Sequence, residues 1–257
     1  MLKRLRSSGS QSNRTKLLVV SLQKCGTHLI LKLLEELGCR GTSVREASLA
    51  ELRALGKGEF LWSHFSPRDD VQMALEDGEP GLRVILNVRD PRDALVSWYH
   101  MVRPENERSL HSHQAYMKKV YAQFTRDQLI DFFIRNEKFR AVEYNPIEAF
   151  RLARSLYFHP AVHVVRYEDL VGERGGGDRG RQVSNIKAVC EHLGIECSDP
   201  EELGRRIYDE SSPTFRAGRI GEHRSELTAE QRALFERLHG DVVEQFGYER
   251  DDLAGSP

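Results

Sequence analysis

Three short runs constrain the fold more than any other feature of this chain: Leu17–Leu22, Arg83–Val88 and Val162–Arg166. Each is nearly continuous in branched apolar side chains. A strand with one wet face alternates apolar and polar residues. These runs leave little polar face, so they read as strands covered on both sides in a parallel sheet. Parallel strands need long crossovers, and helical patterns lie where crossovers are required. His28–Leu37 has apolar residues at 29, 30, 33, 34 and 37 and stops at Gly38. Asp90-Pro91 reads as an N-cap followed by proline at the first helical position, opening a helix through about Met101. Thr228 with Gln231 is a capping-box signature for a final amphipathic helix reaching Phe246. Strands alternating with helices define an α/β fold: a central parallel sheet with helices on both faces, in a single domain over residues 17–250. The strand order is not legible.

The bulk numbers exclude several classes. Hydrophobic residues make up 39% and charged residues 30%, which is ordinary globular composition. The 38 basic and 39 acidic residues leave a net charge of −1, which disfavours nucleic acid as the main partner. The four cysteines, Cys25, Cys39, Cys190 and Cys197, form no CxxC pair. Reduced thiols in a reducing compartment account for them. Cys190, His192 and Cys197 fall short of the four ligands at familiar spacings that structural zinc takes. Residues 1–16 carry Lys3, Arg4, Arg6, Arg14 and Lys16 with no acid, and the apolar run that follows is too short for a signal-peptide core or a membrane span. The expectation is a flexible basic tail over 1–16, a frayed end over 251–257, a cytoplasmic location and no stable membrane anchor. Gly172–Arg181, glycine-rich and charged, reads as a mobile surface loop.

Two segments carry chemistry. Ser21-Leu22-Gln23-Lys24-Cys25-Gly26-Thr27-His28 lies between a strand and a helix, where a turn aims backbone N–H groups and the positive end of the helix dipole at one spot. Lys24 adds a charge, Gly26 permits close backbone approach and Thr27 adds a hydroxyl. The segment is an oxyanion cradle but not a Walker A loop: the lysine precedes the glycine, and Cys25 takes the place of the hydroxyl that would hold Mg²⁺. In the second segment Arg89 ends a strand, where open α/β sheets place ligands, and Ser97 falls about two turns into the next helix. Arginine and serine together suit a phosphate. The spacing serves equally well for Arg89 to pair with Asp90 or Asp93, leaving Ser97 to pack.

Taken together, Lys24-Cys25-Gly26-Thr27 after the first strand and Arg89-Asp90-Pro91-Arg92-Asp93, with Ser97 eight residues beyond Arg89, resemble the two nucleotide-binding signatures of the sulfotransferase superfamily. His163-Val164-Val165-Arg166-Tyr167-Glu168-Asp169-Leu170 is similar to the family's Tyr-Glu-Asp-Leu strand end, and Phe215-Arg216-Ala217-Gly218-Arg219-Ile220-Gly221 to its carboxyl-terminal Phe-Arg-x-Gly-x-x-Gly loop. The four matches run in order from about Leu17 to Thr228, leaving Arg103–Ala161 without a signature.

The resemblance implies a P-loop-like sheet and a sulfuryl donor, 3′-phosphoadenosine 5′-phosphosulfate (PAPS), which leaves as PAP. Gln23, Lys24, Cys25, Gly26, Thr27 and His28 would hold the 5′-phosphosulfate. Arg89, Ser97, Phe215, Arg216 and Gly218 would serve the 3′-phosphate side, and Tyr167 would face the adenine. Trp62-Ser63-His64 stands where the family has Lys-Thr-His, so His64 is the implied general base, with Lys24 stabilising the leaving phosphate. Neither a metal nor a covalent enzyme intermediate is required. The acceptor would be a small molecule, sugar or lipid bearing a hydroxyl or amine, selected by the unmatched Arg103–Ala161 stretch; the oligomeric state is open. Cys25 replaces a serine of the usual pattern, Leu29 a tryptophan, Trp62 and Ala217 lysines, and His223 a tryptophan. The competing classes are a nucleotide or small-molecule kinase on a P-loop-like scaffold and a catalytically inactive nucleotide-binding protein.

Among the remaining features, His111 and His113 suit a solvated helix start. Tyr116, Val120, Phe124, Leu129, Phe132 and Phe133 have helical spacing that fits a packed core better than an acceptor pocket. Glu168 and Asp169 read as capping and salt-bridging groups.

Overall fold

The computed structural model describes residues 15–103, 105, 118–137, 146–210 and 218–251. Phe215, Arg216, Ala217, His111, His113 and Tyr116 lie outside them, as do the two expected tails apart from Thr15, Lys16 and Asp251. The described elements run β1 (Lys16–Ser21), α1 (Thr27–Glu36), β2 (Arg40–Ser43), α2 (Leu49–Ala54), β3 (Glu59–Ser63), α3 (Asp69–Glu76), β4 (Leu82–Val88), α4 (Pro91–Val102), α5 (Arg126–Ile134), α6 (Pro146–Leu152), α7 (Arg154–Phe158), β5 (Val162–Arg166), α8 (Tyr167–Leu170), α9 (Arg179–Leu193), α10 (Pro200–Ile207), α11 (His223–Glu226) and α12 (Ala229–Gln245). The five strands form one sheet in the order β2-β3-β1-β4-β5, and every neighbouring pair is parallel.

The pleat explains why the central strand runs are largely apolar. Leu17, Val19, Ile85 and Val165 face one side, against Ile30, Leu33 and Leu34 of α1 and Ile186 and Val189 of α9. Leu18, Val20, Val84 and Leu86 face the other, against Leu52, Val71, Phe150, Leu156 and Phe246. Each such side chain contributes roughly 1.5–3 kcal/mol by leaving water. A further helical cluster packs Trp98 and Tyr99 of α4, Phe132 and Phe133 of α5 and Phe235 of α12 around Tyr121. Val120, Leu129, Phe132 and Phe133 are therefore buried core, and Phe124 packs against it half-buried.

Three expectations change at their edges, and one strand is unexpected. Lys16 is not tail: it opens β1 and bonds Glu79 at 2.6 Å. Asp251 is not frayed either, since its carboxylate lies 3.0 Å from Arg92. The Gly172–Arg181 stretch is a packed turn rather than a free loop. A 3-10 turn spans Glu173–Gly175, Asp178 caps α9, and a Cβ on Gly175 would lie 2.5 Å from the Gly218 carbonyl. The edge strand β2, Arg-Gly-Thr-Ser and wholly exposed, carries no apolar signal at all.

The carboxyl edge of the sheet rests on a buried ionic knot. Asp90 caps α4 by accepting from the Arg92 N–H, and its carboxylate also receives the Arg92 guanidinium at 2.7 and 3.0 Å. The same guanidinium reaches Glu236 at 2.9 Å. Glu168 accepts from the Asp90 N–H and from the Tyr248 hydroxyl, both at 2.9 Å, which is the capping role its sequence position suggests. Removing one partner of a buried pair leaves the others charged and desolvated. Arg92→Met is therefore expected to lower unfolding stability by roughly 3–5 kcal/mol in urea denaturation, and a loss below about 1 kcal/mol would contradict the knot's structural role.

Candidate active site

Register brings the site together. Ser21 at the end of β1 pairs with Asn87 of β4, Ser63 of β3 pairs with Val20, and Val88 pairs with Arg166 of β5. The segments leaving β1, β3, β4 and β5 at their carboxyl ends are the 22–26 turn, His64, Arg89 and Tyr167, so the four motif regions emerge side by side along one edge of the sheet.

The turn is held in an unusual shape. Lys24 and Gly26 both have positive φ, 66° and 84°. Glycine is required at 26 for a second reason: a Cβ there would lie 2.4 Å from the Tyr167 ring. Gly26 is the N-cap of α1 and supplies no side-chain cap, so the first N–H groups of the helix are left for an outside acceptor. Thr27 is buried beside them, and its hydroxyl lies 2.8 Å from that of Ser21. The Lys24 ammonium extends to Met101 Sδ at 3.6 Å. Ser97 stands one turn before Met101 on α4, so the two share a helix face. Gln23 and Ser97 are half-buried, and His28 is exposed, its pKa lowered by partial burial and by Lys24.

Cys25 contributes differently from the sequence-based expectation. Its N–H, counted there among the cradle donors, closes the turn on the Leu22 carbonyl at 3.1 Å. Its thiol is fully buried in the core and points to the Gln23 carbonyl at 3.6 Å. Burial pushes that thiol's pKa up. Leu29 likewise belongs to the core and offers no surface to a base.

His64 reaches back to the β1 end, its Nδ1 lying 2.8 Å from the Ser21 carbonyl. A carbonyl only accepts, so Nδ1 carries the proton and, in the neutral ring, Nε2 holds the free lone pair. Burial lowers its pKa, and the Lys24 and His28 charges add to that, against the Ser21 bond, which raises it. Trp62 packs edge-on to the imidazole with ring centroids 5.4 Å apart.

Arg89 is 5% exposed. Its guanidinium lies 4.5 Å from the centre of the Tyr167 ring and donates to the Arg219 carbonyl at 2.6 Å. Asp93 lies 3.5 Å away and Glu222 3.7 Å. The pairing with Asp93 is thus real, whereas Asp90 belongs to Arg92. Yet Arg89 Nε is buried without a hydrogen-bond partner among the described residues, a costly state for a charged group. Tyr167 is itself buried, wedged between Gly26 and Arg89, so it braces the two motifs and has little face left for an adenine.

Asp93, read from the sequence only as a partner for Arg89, and Asn87, which sequence reasoning passed over, hold this assembly. Asp93 accepts from the Gly221 N–H at 2.7 Å, the His223 N–H at 3.0 Å and His223 Nδ1 at 2.7 Å, fastening the late loop over Arg89. Burial works against its charge, but the His223 bonds and Arg89 outweigh it and bring the carboxyl down to about 2. The late loop is seated from below as well, the Ile220 N–H donating to the Gly175 carbonyl at 3.1 Å. Gly218, at positive φ of 62°, begins that described stretch. Asn87 donates to Ser21 Oγ and to the Cys25 carbonyl, both at 2.9 Å. Its one sequence signal is a buried amide inside an otherwise apolar strand.

Away from this edge, His192 Nε2 donates to the Val84 carbonyl at 3.1 Å, and no cluster of three or more potential metal ligands occurs among the described residues. No helix among them is long and apolar enough to cross a membrane.

Comparison with known proteins agrees with this geometry. A search of curated protein sequences finds no match. Among solved structures, mouse sulfotransferase SULT7A1 complexed with PAP superposes with a TM-score of 0.62 at 17% identity, over 90% of this chain and 85% of that one. At that identity the likeness speaks for the fold. The family model described as "Sulfotransferase domain" matches residues 14–247, nearly the whole chain. The chain belongs to the sulfotransferase-domain family.

Proposed function

We propose that this protein transfers a sulfuryl group from PAPS to an acceptor hydroxyl or amine, with His64 as general base. The observation that carries the proposal is the meeting of three features at one sheet edge: an α1 N-terminus without a side-chain cap, the buried Arg89 whose Nε has no hydrogen-bond partner among the described residues, and an imidazole whose Nδ1 is engaged by Ser21, which leaves Nε2 as its basic nitrogen. The residues suit the nucleotide. The α1 N–H groups, Lys24 and Thr27 match a phosphosulfate, Arg89 and Ser97 a second phosphate, and the SULT7A1 neighbour is a PAP complex.

PAPS supplies a sulfuryl group activated by its anhydride bond to phosphate. His64 Nε2 accepts the acceptor's proton as the acceptor's oxygen or nitrogen bonds to sulfur and the sulfur–phosphate bridge breaks. The leaving oxygen gains negative charge, and Lys24 with the turn's N–H groups stabilises it there. Trp62 brings no cation to the site, so Lys24 takes the charge stabilisation that the family's lysine at that place would share. A magnesium-dependent kinase is disfavoured by Cys25, whose buried sulfur occupies the place where such enzymes offer a metal-binding hydroxyl.

Incubation with radiolabelled PAPS and cell extract should give labelled acceptors with the wild type. His64→Ala should slow turnover roughly 10²–10⁴-fold with PAP affinity nearly intact; full activity in that variant would refute the assignment. Because the neutral imidazole is the active form and its pKa is lowered, kcat/KM should rise with pH to a plateau, with its midpoint below about 6.5. A midpoint well above 7 would point to another base. Arg89→Ala should weaken PAP binding by roughly 2–5 kcal/mol in calorimetry, and an unchanged dissociation constant would remove Arg89 from the site.

A further inference from the structure

The hydrogen bonds around Asn87 have a fixed direction, and that direction ends at the anion cradle. Asn87 faces the Cys25 carbonyl at 2.9 Å, and a carbonyl can only accept, so the atom facing it is the NH₂ group. The amide orientation follows from chemistry. The second hydrogen of that NH₂ goes to Ser21 Oγ at 2.9 Å. Ser21 is wholly buried, and its hydroxyl proton must have an acceptor. Among the described residues that acceptor is Thr27 Oγ1, 2.8 Å away. On this direction Thr27 accepts from Ser21, and its own O–H is left to donate beside the first N–H groups of α1.

We infer that Asn87 is a positioning residue: through Ser21 it sets Thr27 as an obligate donor to the oxyanion bound at the 23–27 turn. The relay deepens the sulfuryl-transfer proposal by naming how the cradle is polarised, and it rests on that proposal only for the identity of the anion. Its selectivity is for a fully ionised phosphate or sulfate oxygen, which has no proton to compete with the Thr27 hydrogen. The main competing account is that Asn87 merely braces the turn through the Cys25 carbonyl.

A double-mutant cycle with inorganic pyrophosphate separates the two accounts. The variants are Asn87→Leu, Thr27→Val and the double variant, with affinity read by calorimetry and the Gly26, Thr27 and His28 amides followed by ¹⁵N NMR. The relay predicts that Asn87→Leu weakens pyrophosphate binding roughly tenfold or more when Thr27 is present. In the Thr27→Val background the same change should have almost no effect, and Thr27→Ser should bind within about twofold of wild type. Equal losses in both backgrounds would overturn the relay in favour of bracing. So would a wild type whose three amides ignore pyrophosphate. If Asn87→Leu does not fold, Asn87→Ser, too short to reach both partners, runs the same cycle. Titration with PAP in parallel keeps the proposals apart: pyrophosphate binding without PAP binding would sink the nucleotide assignment and leave the relay standing.

Discussion

Parallel register at the centre of the sheet is the constraint from which the rest of the molecule follows. Because β3, β1, β4 and β5 are neighbours pointing the same way, their exits are forced onto one edge, and whatever follows each strand becomes part of one site. The pairing of Ser21 with Asn87 is the decisive contact. It places an amide beside the turn after β1 and puts Arg89, two residues further on, against the same turn. A slip by one residue would turn Asn87 to the opposite face of β4 and bring Leu86 or Val88 to its place.

Charge is handled at two depths below that edge. Nearest the cradle, Arg89 is held by the Tyr167 ring, the Arg219 carbonyl and Asp93, while its Nε has no hydrogen-bond partner among the described residues. One layer away, Arg92 is saturated by Asp90, Glu236 and Asp251. The two arginines thus differ: Arg92 is a satisfied cation that fixes the start of α4, and Arg89 is an incompletely satisfied one, which the proposed function gives to the nucleotide. His223, standing where the family commonly has a tryptophan, earns its place in a similar way, joining the late loop to Asp93 by backbone and side chain together.

Much of this was legible in the residues, for identifiable reasons. The strands β1 and β4 are buried on both faces, so burial itself writes an apolar run, and the caps Asp90 and Thr228 use side-chain oxygens whose spacing from the helix is fixed. What escaped had no local signal. The edge strand β2 is Arg-Gly-Thr-Ser and wholly exposed; it exists because β3 offers it a partner. The burial of Cys25, the turn bond of its N–H and the enclosure of the Tyr167 ring depend on which way a strained turn folds, and spacing does not report that. Asp93 and Asn87 are single polar residues whose partners lie far along the chain, 130 positions away for Asp93 and His223, and 62 for Asn87 and Cys25.

The central claim is that one doubly phosphorylated nucleotide spans the 23–27 turn and Arg89, with the imidazole of residue 64 at its reactive end. A crystal structure of the protein grown with PAP tests it directly. The account predicts the 5′-phosphate within hydrogen-bonding distance of the α1 N–H groups and the Thr27 hydroxyl, and the 3′-phosphate on Arg89 Nε. Density for the nucleotide elsewhere on the protein, or with Arg89 still turned only to Asp93 and the Arg219 carbonyl, would contradict it.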